Sequence, residues 1–176
     1  CLDEISDQAK EIGAVNTICF DNQRKIGYNT DIFGFSKSLE INEINNIDSV
    51  LILGSGGAAK TISYFCINNN IPYNIVSRKP SNSYISYMSL NEKHFIKKVL
   101  IVNCTPIGTF PEIDRCPDLP YNLINKENVI FDLVYNPSET LLMKKGKERG
   151  CKTINGHEML RFQAEKSLEL WAETFK

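Results

Sequence analysis

Histidine, charge of one sign and long apolar runs are all scarce in this sequence, and each absence excludes a class of protein. Only 2 of the 176 residues are histidine and no C-x-x-C pair occurs, which argues against a zinc site. The 20 Lys and Arg residues nearly balance the 21 Asp and Glu residues, so no overall field attracts nucleic acid or anionic lipid. No run approaches the roughly 20 apolar residues that span a bilayer. We therefore expect neither a nucleic-acid partner nor a membrane span.

The cysteines do not have the spacing of a disulfide framework. They are widely scattered along the chain: Cys1, Cys19, Cys66, Cys104, Cys116 and Cys151. Three of them lie inside apolar patterns and are typical of small core residues. The first residues are polar and acidic, so they do not resemble a secretory signal. Reduced thiols and a cytoplasmic location are the resulting expectations.

The sequence does contain the alternation of strands and helices that is typical of an α/β protein. Hydrophobic residues make up 42% and charged residues 23%, which are globular values. The runs SVLILG (49–54) and VLIVN (99–103) are continuously apolar, as expected for strands buried on both faces of a parallel sheet. Predicted helices separate the predicted strands. We therefore predict a Rossmann-like, doubly wound parallel sheet with helices on both faces.

The pattern changes along the chain and predicts four parts. Residues 1–30 do not fit the doubly wound fold and are interpreted as the remnant of an N-terminal α/β substrate domain. Residues 31–46 form a connecting helix, and residues 47–155 form the Rossmann-like domain. Residues 156–176 form a C-terminal helix that returns toward the substrate lobe. Within the Rossmann-like part, the segment before the third strand predicts a short helix.

A glycine turn follows the first strand of the predicted sheet. Residues 54–59 (GSGGAA) fit the dinucleotide pattern G-x-G-x-x-A between a strand and a helix. Gly54 allows the tight turn and Gly56 lets a pyrophosphate approach the backbone. Ser55, Gly57 and Ala58 complete a turn whose helix N-terminus attracts phosphate. The alternative is a glycine turn that only packs.

The end of the second predicted strand indicates which dinucleotide binds. An NAD site usually has an acidic residue about 20 residues after the glycines, whereas no Asp or Glu occurs between Gly54 and Lys79. Ser77, Arg78 and Lys79 end that strand instead. A cation pair suits the 2′-phosphate of NADP, and Arg78 can contact it through two nitrogens. The alternative is a solvated surface pair.

Other polar residues are candidates by their position. Asn103 and Thr105 follow the third predicted strand and Tyr135 follows the fourth, at the edge where open α/β sheets bind ligands. Asn16 begins one Asn-Thr pair near the first helices, and Asp31 directly follows the second, Asn29-Thr30. From the residues alone, Asp31 is better explained as a helix cap than as a catalyst.

Together these segments resemble the shikimate dehydrogenase family. The matching stretches occur in the family's order and cover nearly the whole chain. They are GAVNTI (13–18), NTDIFG (29–34), GSGGAAK (54–60), SRK (77–79), NCTPIGTFP (103–111), FDLVYNPSETLL (131–142) and NGHEMLRFQAEKSLELW (155–171).

The resemblance implies reversible reduction of 3-dehydroshikimate to shikimate with NADPH, and it implies a role for particular residues. Asn16, Asp31, Tyr135 and Gln163 match substrate-contacting positions, and Asp31 also matches the carboxylate of a Lys/Asp acid–base pair. The positions implied to contact NADP are Gly54, Ser55, Gly56, Gly57, Ala58, Ser77, Arg78, Lys79, Asn103, Thr105, Leu133 and Gly156.

Two departures from the family pattern limit these expectations. Lys79 replaces the usual threonine, and the family's catalytic lysine lies upstream of the stretch that matches GAVNTI. We therefore expect these 176 residues to bind NADP but to turn over poorly alone. Two alternatives stay open: an NAD-using quinate/shikimate dehydrogenase and a non-catalytic dinucleotide-binding module. A homodimer is a further expectation that the sequence does not decide.

Overall fold

A computed structural model describes residues 1–174 and contains a small sheet followed by a large one. The small sheet has strands β1 (Glu4–Ile5), β2 (Thr17–Asp21) and β3 (Arg24–Tyr28) in the order β1-β3-β2. Helix α1 (Asp7–Ile12) lies between β1 and β2. Residues 175 and 176 of the predicted C-terminal helix lie outside the described residues.

The large sheet confirms the predicted Rossmann-like architecture. Its order is β6-β5-β4-β7-β8-β9, and every neighbouring pair of strands is parallel. The strands are β4 (Ser49–Leu53), β5 (Tyr73–Val76), β6 (Tyr84–Ile85), β7 (Val99–Asn103), β8 (Val129–Asp132) and β9 (Lys152–Asn155). The helices that accompany it are α2 (Asp31–Ile41), α3 (Gly57–Asn68), α4 (Leu141–Glu148) and α5 (His157–Thr174).

Both faces of the large sheet are buried, which explains its continuously apolar strands. Along β4, Val50 and Ile52 join the core on one face, while Leu51 and Leu53 join the core on the other. The first core contains side chains of α2, α3 and α5, and Phe35 stacks on Phe131 there with ring centroids 5.3 Å apart. The second core contains Leu142 of α4 and side chains of the long connections. Helices therefore cover both faces, as predicted.

The segment between β5 and β7 differs from its prediction of a short helix. It contains the two-residue strand β6 and two single turns of 3₁₀-helix, Tyr87–Ser89 and Glu92–His94. Its side chains Leu90 and Phe95 are buried against the second core. Packing of these side chains against the sheet, and not a helical repeat, therefore determines the conformation of this segment.

Helices α2 and α5 cross closely, and α5 also contacts strand β2 of the small sheet. A Cβ atom on Gly34 would lie 2.5 Å from the carbonyl oxygen of Met159, so only glycine allows this approach. Further along α5, the indole nitrogen of Trp171 donates to the carbonyl of Ile18 in β2 at 2.9 Å. Helix α5 thus joins the large sheet to the small one. Over residues 1–174, none of the helices combines the length and apolar content that crossing a bilayer requires.

Candidate functional site

A cavity of about 510 Å³ opens at the carboxyl ends of β4, β5 and β7, where the glycine turn lies. Six of the predicted cofactor residues line it: Gly54, Ser55, Gly56, Ser77, Arg78 and Thr105. Parallel strands place their carboxyl ends at one edge, so residues distant in sequence share this cavity. The large sheet therefore assembles the half of the site that sequence reasoning assigned to the cofactor.

The glycine turn has the shape that a dinucleotide pyrophosphate requires. Gly54 has φ +107, which side-chain-bearing residues rarely adopt. Gly56 caps the N-terminus of α3, and an added Cβ there would meet no atom within 4 Å. Open space thus lies directly over the free N–H groups of α3, where an anion is favoured. The residues present fit a dinucleotide.

Arg78 and Tyr87 form the wall of the cavity beyond β5. Arg78 is exposed and Tyr87 is half-buried. Burial raises the pKa of the Tyr87 hydroxyl, and the positive charge of Arg78 opposes part of that rise. The two side chains thus place a cation and an aromatic ring on this wall.

The opposite wall is a loop after β7 that a buried hydrogen-bond network supports. The Asn103 side chain accepts from Thr105 Oγ1 at 2.6 Å and donates to Asp132 Oδ1 at 2.8 Å. The hydroxyl of Thr140, the N-cap of α4, donates to Asp132 Oδ2 at 2.6 Å. The network ties the ends of β7 and β8 to the start of α4 and fixes Thr105 at the cavity.

Asp132 is fully buried at the centre of this network. Burial raises the pKa of its carboxyl group, and the hydrogen bonds from Thr140, the Val134 backbone and Asn103 oppose that rise. A buried carboxyl group with three donors is costly to disturb, because each donor would lose its partner. Asp132 therefore stabilises the two loops that follow β7 and β8.

A second polar cluster contains three of the predicted substrate residues. Asn16 Nδ2 donates to Asp31 Oδ1 at 2.9 Å and lies 3.4 Å from Gln163 Oε1. Asn16 comes from the turn before β2, Asp31 from the first turn of α2 and Gln163 from α5. The α2–α5 crossing thus brings together groups that are 147 positions apart in the chain.

Asp31 is not a helix cap, which corrects the interpretation from the residues alone. The N-cap of α2 is Thr30, and Asn29 Oδ1 accepts from the backbone N–H of Ile32 at 3.2 Å. The carboxyl group of Asp31 points to Asn16 instead. Burial raises its pKa, and the hydrogen bond from Asn16 partly opposes the rise. A carboxyl group with a raised pKa is better suited to exchange protons near neutral pH.

Three hydroxyl groups lie behind this polar cluster. Ser167 Oγ is 2.7 Å from Thr17 Oγ1 and 3.0 Å from Thr30 Oγ1, and all three residues are buried. Thr30 also accepts from Asn16 Nδ2 at 3.0 Å. Sequence reasoning gave Ser167 no role. The available signal was its position four residues after Gln163, which places both on one face of α5.

The cavity and the polar cluster are adjacent. Lys60 Nζ of α3 donates to the carbonyl of Gly13 at 2.9 Å, and Asn29 Nδ2 lies 3.3 Å from Thr61 Oγ1. A Cβ atom on Gly57 would lie 3.7 Å from that of Ala14. The first turns of α3 therefore pack on the segment that leads to Asn16.

The remaining predicted residues lie away from the described cavity lining, and their roles stay predictions. Asn103 is buried and bonds to Thr105 in the cavity wall. Leu133 packs against the first core and lies next to Gly156. The Tyr135 side chain is exposed and, over residues 1–174, makes no hydrogen bond to the polar cluster. The other residues outside the lining are Gly57, Ala58 and Lys79. Sequence reasoning missed Tyr87, Phe110, Glu112 and Arg115, which do line the cavity.

Comparisons with known proteins agree with one another. Shikimate dehydrogenase (NADP(+)) of Clostridium beijerinckii is 41% identical over 180 residues, which cover 98% of this chain and 66% of the relative. Shikimate dehydrogenase 1 of Peptoclostridium difficile is 39% identical, with a TM-score of 0.85 over 98% of this chain and 65% of that one. No family model matches the chain.

A third comparison concerns a structure solved with ligands. Shikimate 5-dehydrogenase of Thermus thermophilus, in complex with NADP(H) and shikimate, is 30% identical with a TM-score of 0.84. The match covers 97% of this chain and 66% of that one. The chain thus spans about two thirds of the length of its relatives.

Proposed function

Because the chain belongs to the shikimate dehydrogenase family, we propose that it carries the NADP site and part of the substrate site of an NADP-dependent dehydrogenase. The reaction is reversible reduction of 3-dehydroshikimate to shikimate. The observation that carries this proposal is the adjacency of two groups of residues: the cavity with the glycine turn and Arg78, and the Asn16–Asp31–Gln163 cluster.

The cavity offers separate contacts for the pyrophosphate and the 2′-phosphate of the cofactor. The N–H groups at the start of α3 would hold the pyrophosphate, and Gly56 leaves room for it. Arg78, which lines the cavity, would bind the 2′-phosphate of the adenosine half. When bound, NADPH supplies a hydride, while the protein contributes position and electrostatics. The network around Asp132 holds the loop wall of the cavity in place.

The polar cluster offers hydrogen bonds and a proton site to a hydroxylated ring. Asn16 and Gln163 carry amide groups that bind hydroxyl groups, and Asp31 carries a carboxyl group with a raised pKa. Reduction of a carbonyl group requires a proton at the new alkoxide oxygen. Asp31 would donate that proton in the reduction and accept it in the reverse oxidation. By the resemblance, the family's lysine partner is expected upstream of the stretch that matches GAVNTI (13–18).

The two alternatives make different demands on the same residues. An NAD-using enzyme needs an acidic group at the end of β5, where Ser77, Arg78 and Lys79 stand. A pure nucleotide-binding module needs no Asn16–Asp31–Gln163 cluster. Addition of shikimate alone should raise the melting temperature if that cluster binds substrate, because ligand binding to the folded state stabilises it.

The test of the proposed function is a fluorescence titration of residues 1–176 with NADPH and, separately, NADH. We expect tight, salt-sensitive NADPH binding and at least about tenfold weaker NADH binding, because a phosphate–arginine contact contributes roughly 1.5–3 kcal/mol. Substituting Arg78→Gln should reduce this preference about tenfold or more. Equal binding of both cofactors would favour the NAD-using alternative, and binding of neither would contradict the proposal.

A second prediction concerns Asp31 and pH. The pKa of Asp31 in the folded state is raised above the unfolded value of about 3.9. As pH rises from the unfolded pKa to the folded pKa, the unfolded state loses its proton first, and the free energy of unfolding falls. Asp31→Asn should therefore stabilise the fold by on the order of 1 kcal/mol at pH 7, and the gain should disappear below about pH 4. Urea unfolding at several pH values measures this.

The control for Asp31→Asn is Asp114→Asn, at an exposed loop position. It should leave the pH profile of stability unchanged. A destabilised Asp31→Asn protein at pH 7 would mean that the hydrogen bond from Asn16 outweighs the burial of the carboxylate.

Two further features belong to the proposal. A cytoplasmic location is supported by the six free cysteines, of which Cys19, Cys66 and Cys151 are buried. Burial raises the pKa of the Cys66 thiol to about 12, which keeps it unreactive. A homodimer is proposed as the assembly, and size-exclusion chromatography with light scattering tests it.

A further inference from the structure

Two arginines from different elements face the same cavity. Arg78 follows β5, and Arg115 belongs to the loop between β7 and β8. Lys79, the cation next to Arg78 in sequence, is not among the residues described as lining that cavity. The two arginines that line the cavity therefore come from different elements and not from neighbouring positions in the chain.

The charge of the cofactor requires more than one cation. A phosphate monoester carries between one and two negative charges at neutral pH. A single arginine would compensate about one of them, and the N–H groups of α3 would be used by the pyrophosphate. A second guanidinium group that can reach the same cavity would neutralise the remainder and add directional hydrogen bonds.

Arg115 forms an exposed ion pair with Glu112 that a phosphate group can replace. Its guanidinium nitrogen Nη1 lies 2.5 Å from Glu112 Oε2, and both side chains are 65% exposed. Exposed ion pairs of this kind contribute little to stability, so a more highly charged phosphate competes well with one carboxylate. Glu112 also lines the cavity, where its charge opposes an incoming phosphate.

The backbone that carries Arg115 is positioned by packing. Gly108 has φ +92, and a Cβ atom there would lie 3.0 Å from the carbonyl oxygen of Arg115. The loop is also anchored to the next one, because Phe110 N and Thr109 Oγ1 donate to the carbonyl of Asn136 at 3.0 and 3.2 Å. The side chain can therefore reorient without movement of the loop.

We infer that Arg115 is a second cationic contact for the 2′-phosphate of NADP, that Glu112 competes with the phosphate for it, and that Lys79 has no such role. This inference rests on the proposed function and identifies which residues set the cofactor preference. Arg78 would reach the phosphate from the end of β5, and Arg115 would reach it from the loop between β7 and β8.

The experiment measures dissociation constants for NADPH and NADH with wild-type protein and three single variants. Arg115→Gln should weaken NADPH binding about tenfold and change NADH binding less than about twofold. Glu112→Gln should tighten NADPH binding about two- to fivefold, because it frees Arg115. Lys79→Gln should change neither constant by more than about twofold. All three side chains are exposed, and circular dichroism verifies that each variant is folded.

Several outcomes would overturn the inference. These are unchanged NADPH binding by Arg115→Gln, an equal loss of NADPH and NADH binding, or a larger loss with Lys79→Gln. Arg78→Gln separates this failure from that of the proposed function. If Arg78→Gln loses NADPH preference and Arg115→Gln does not, only the role of Arg115 is wrong. If wild-type protein binds neither cofactor, both proposals fail.

Discussion

Gly56→Asp is expected to weaken NADPH binding by at least about 100-fold while the protein remains folded. Gly56 has φ −85 and ψ −165, an extended conformation open to any residue, and an added Cβ would meet no atom within 4 Å. Aspartate is also a favourable N-cap and interacts well with a helix N-terminus. Its carboxylate would, however, occupy the space and the N–H groups that the pyrophosphate needs. The loss combines steric exclusion with charge repulsion.

The matched control is Gly56→Asn, which adds nearly the same volume without charge. We expect Gly56→Asn to weaken NADPH binding about tenfold. Its melting temperature should be at least that of the wild type, since Asn is as good an N-cap as Asp and no worse than Gly. Fluorescence titration gives the affinities and thermal unfolding gives the stability. Wild-type affinity in Gly56→Asp would mean that the cofactor does not lie against this turn.

Gly156→Ala is expected to lower the free energy of unfolding by about 3 kcal/mol or more. Gly156 is buried between β9 and α5, where an added Cβ would lie 2.1 Å from the carbonyl oxygen of Leu133 and 2.6 Å from its carbon. Both atoms belong to the backbone, so no change of rotamer relieves the contact. The alanine would push α5 away from the strand end that carries Leu133.

The control for this variant is Gly57→Ala, the same chemical change at the first residue of α3. Its Cβ would lie 3.7 Å from Ala14 Cβ, an ordinary contact, and alanine favours the helix. We expect its stability to lie within about 1 kcal/mol of the wild type or above it. Urea unfolding compares the two variants. Equal stabilities would show that the β9–α5 junction can shift without cost, contrary to the packing described.

The fold could be predicted from the sequence where burial alone dictates the pattern. The runs that became β4 and β7 are continuously apolar because both faces of a parallel sheet are covered, and these strands lie at its centre. The glycine turn was readable because its residues are consecutive. The strand before it and the helix after it are also adjacent in the sequence, so the whole motif can be recognised without knowledge of distant segments.

The segment between β5 and β7 could not be predicted in the same way. Strand β6 is only two residues long, and it exists because Ile75 and Val76 of β5 provide a parallel partner. The 3₁₀ turns that follow are too short to have a periodicity of their own. Tertiary contacts decide such a segment, since its own residues favour no regular structure strongly.

The candidate site likewise has features that depend on neighbouring residues and features that depend on tertiary contacts. The sequence by itself determined the parallel sheet, the glycine turn, the absence of an acid after β5 and the family motifs, because each depends on neighbouring residues. Only the tertiary structure decided that Asn16 and Asp31 meet Gln163, that Arg115 lines the same cavity as Arg78, and that burial raises the pKa of Asp31. Those properties depend on distances between remote segments and on exclusion of water, which no local pattern encodes.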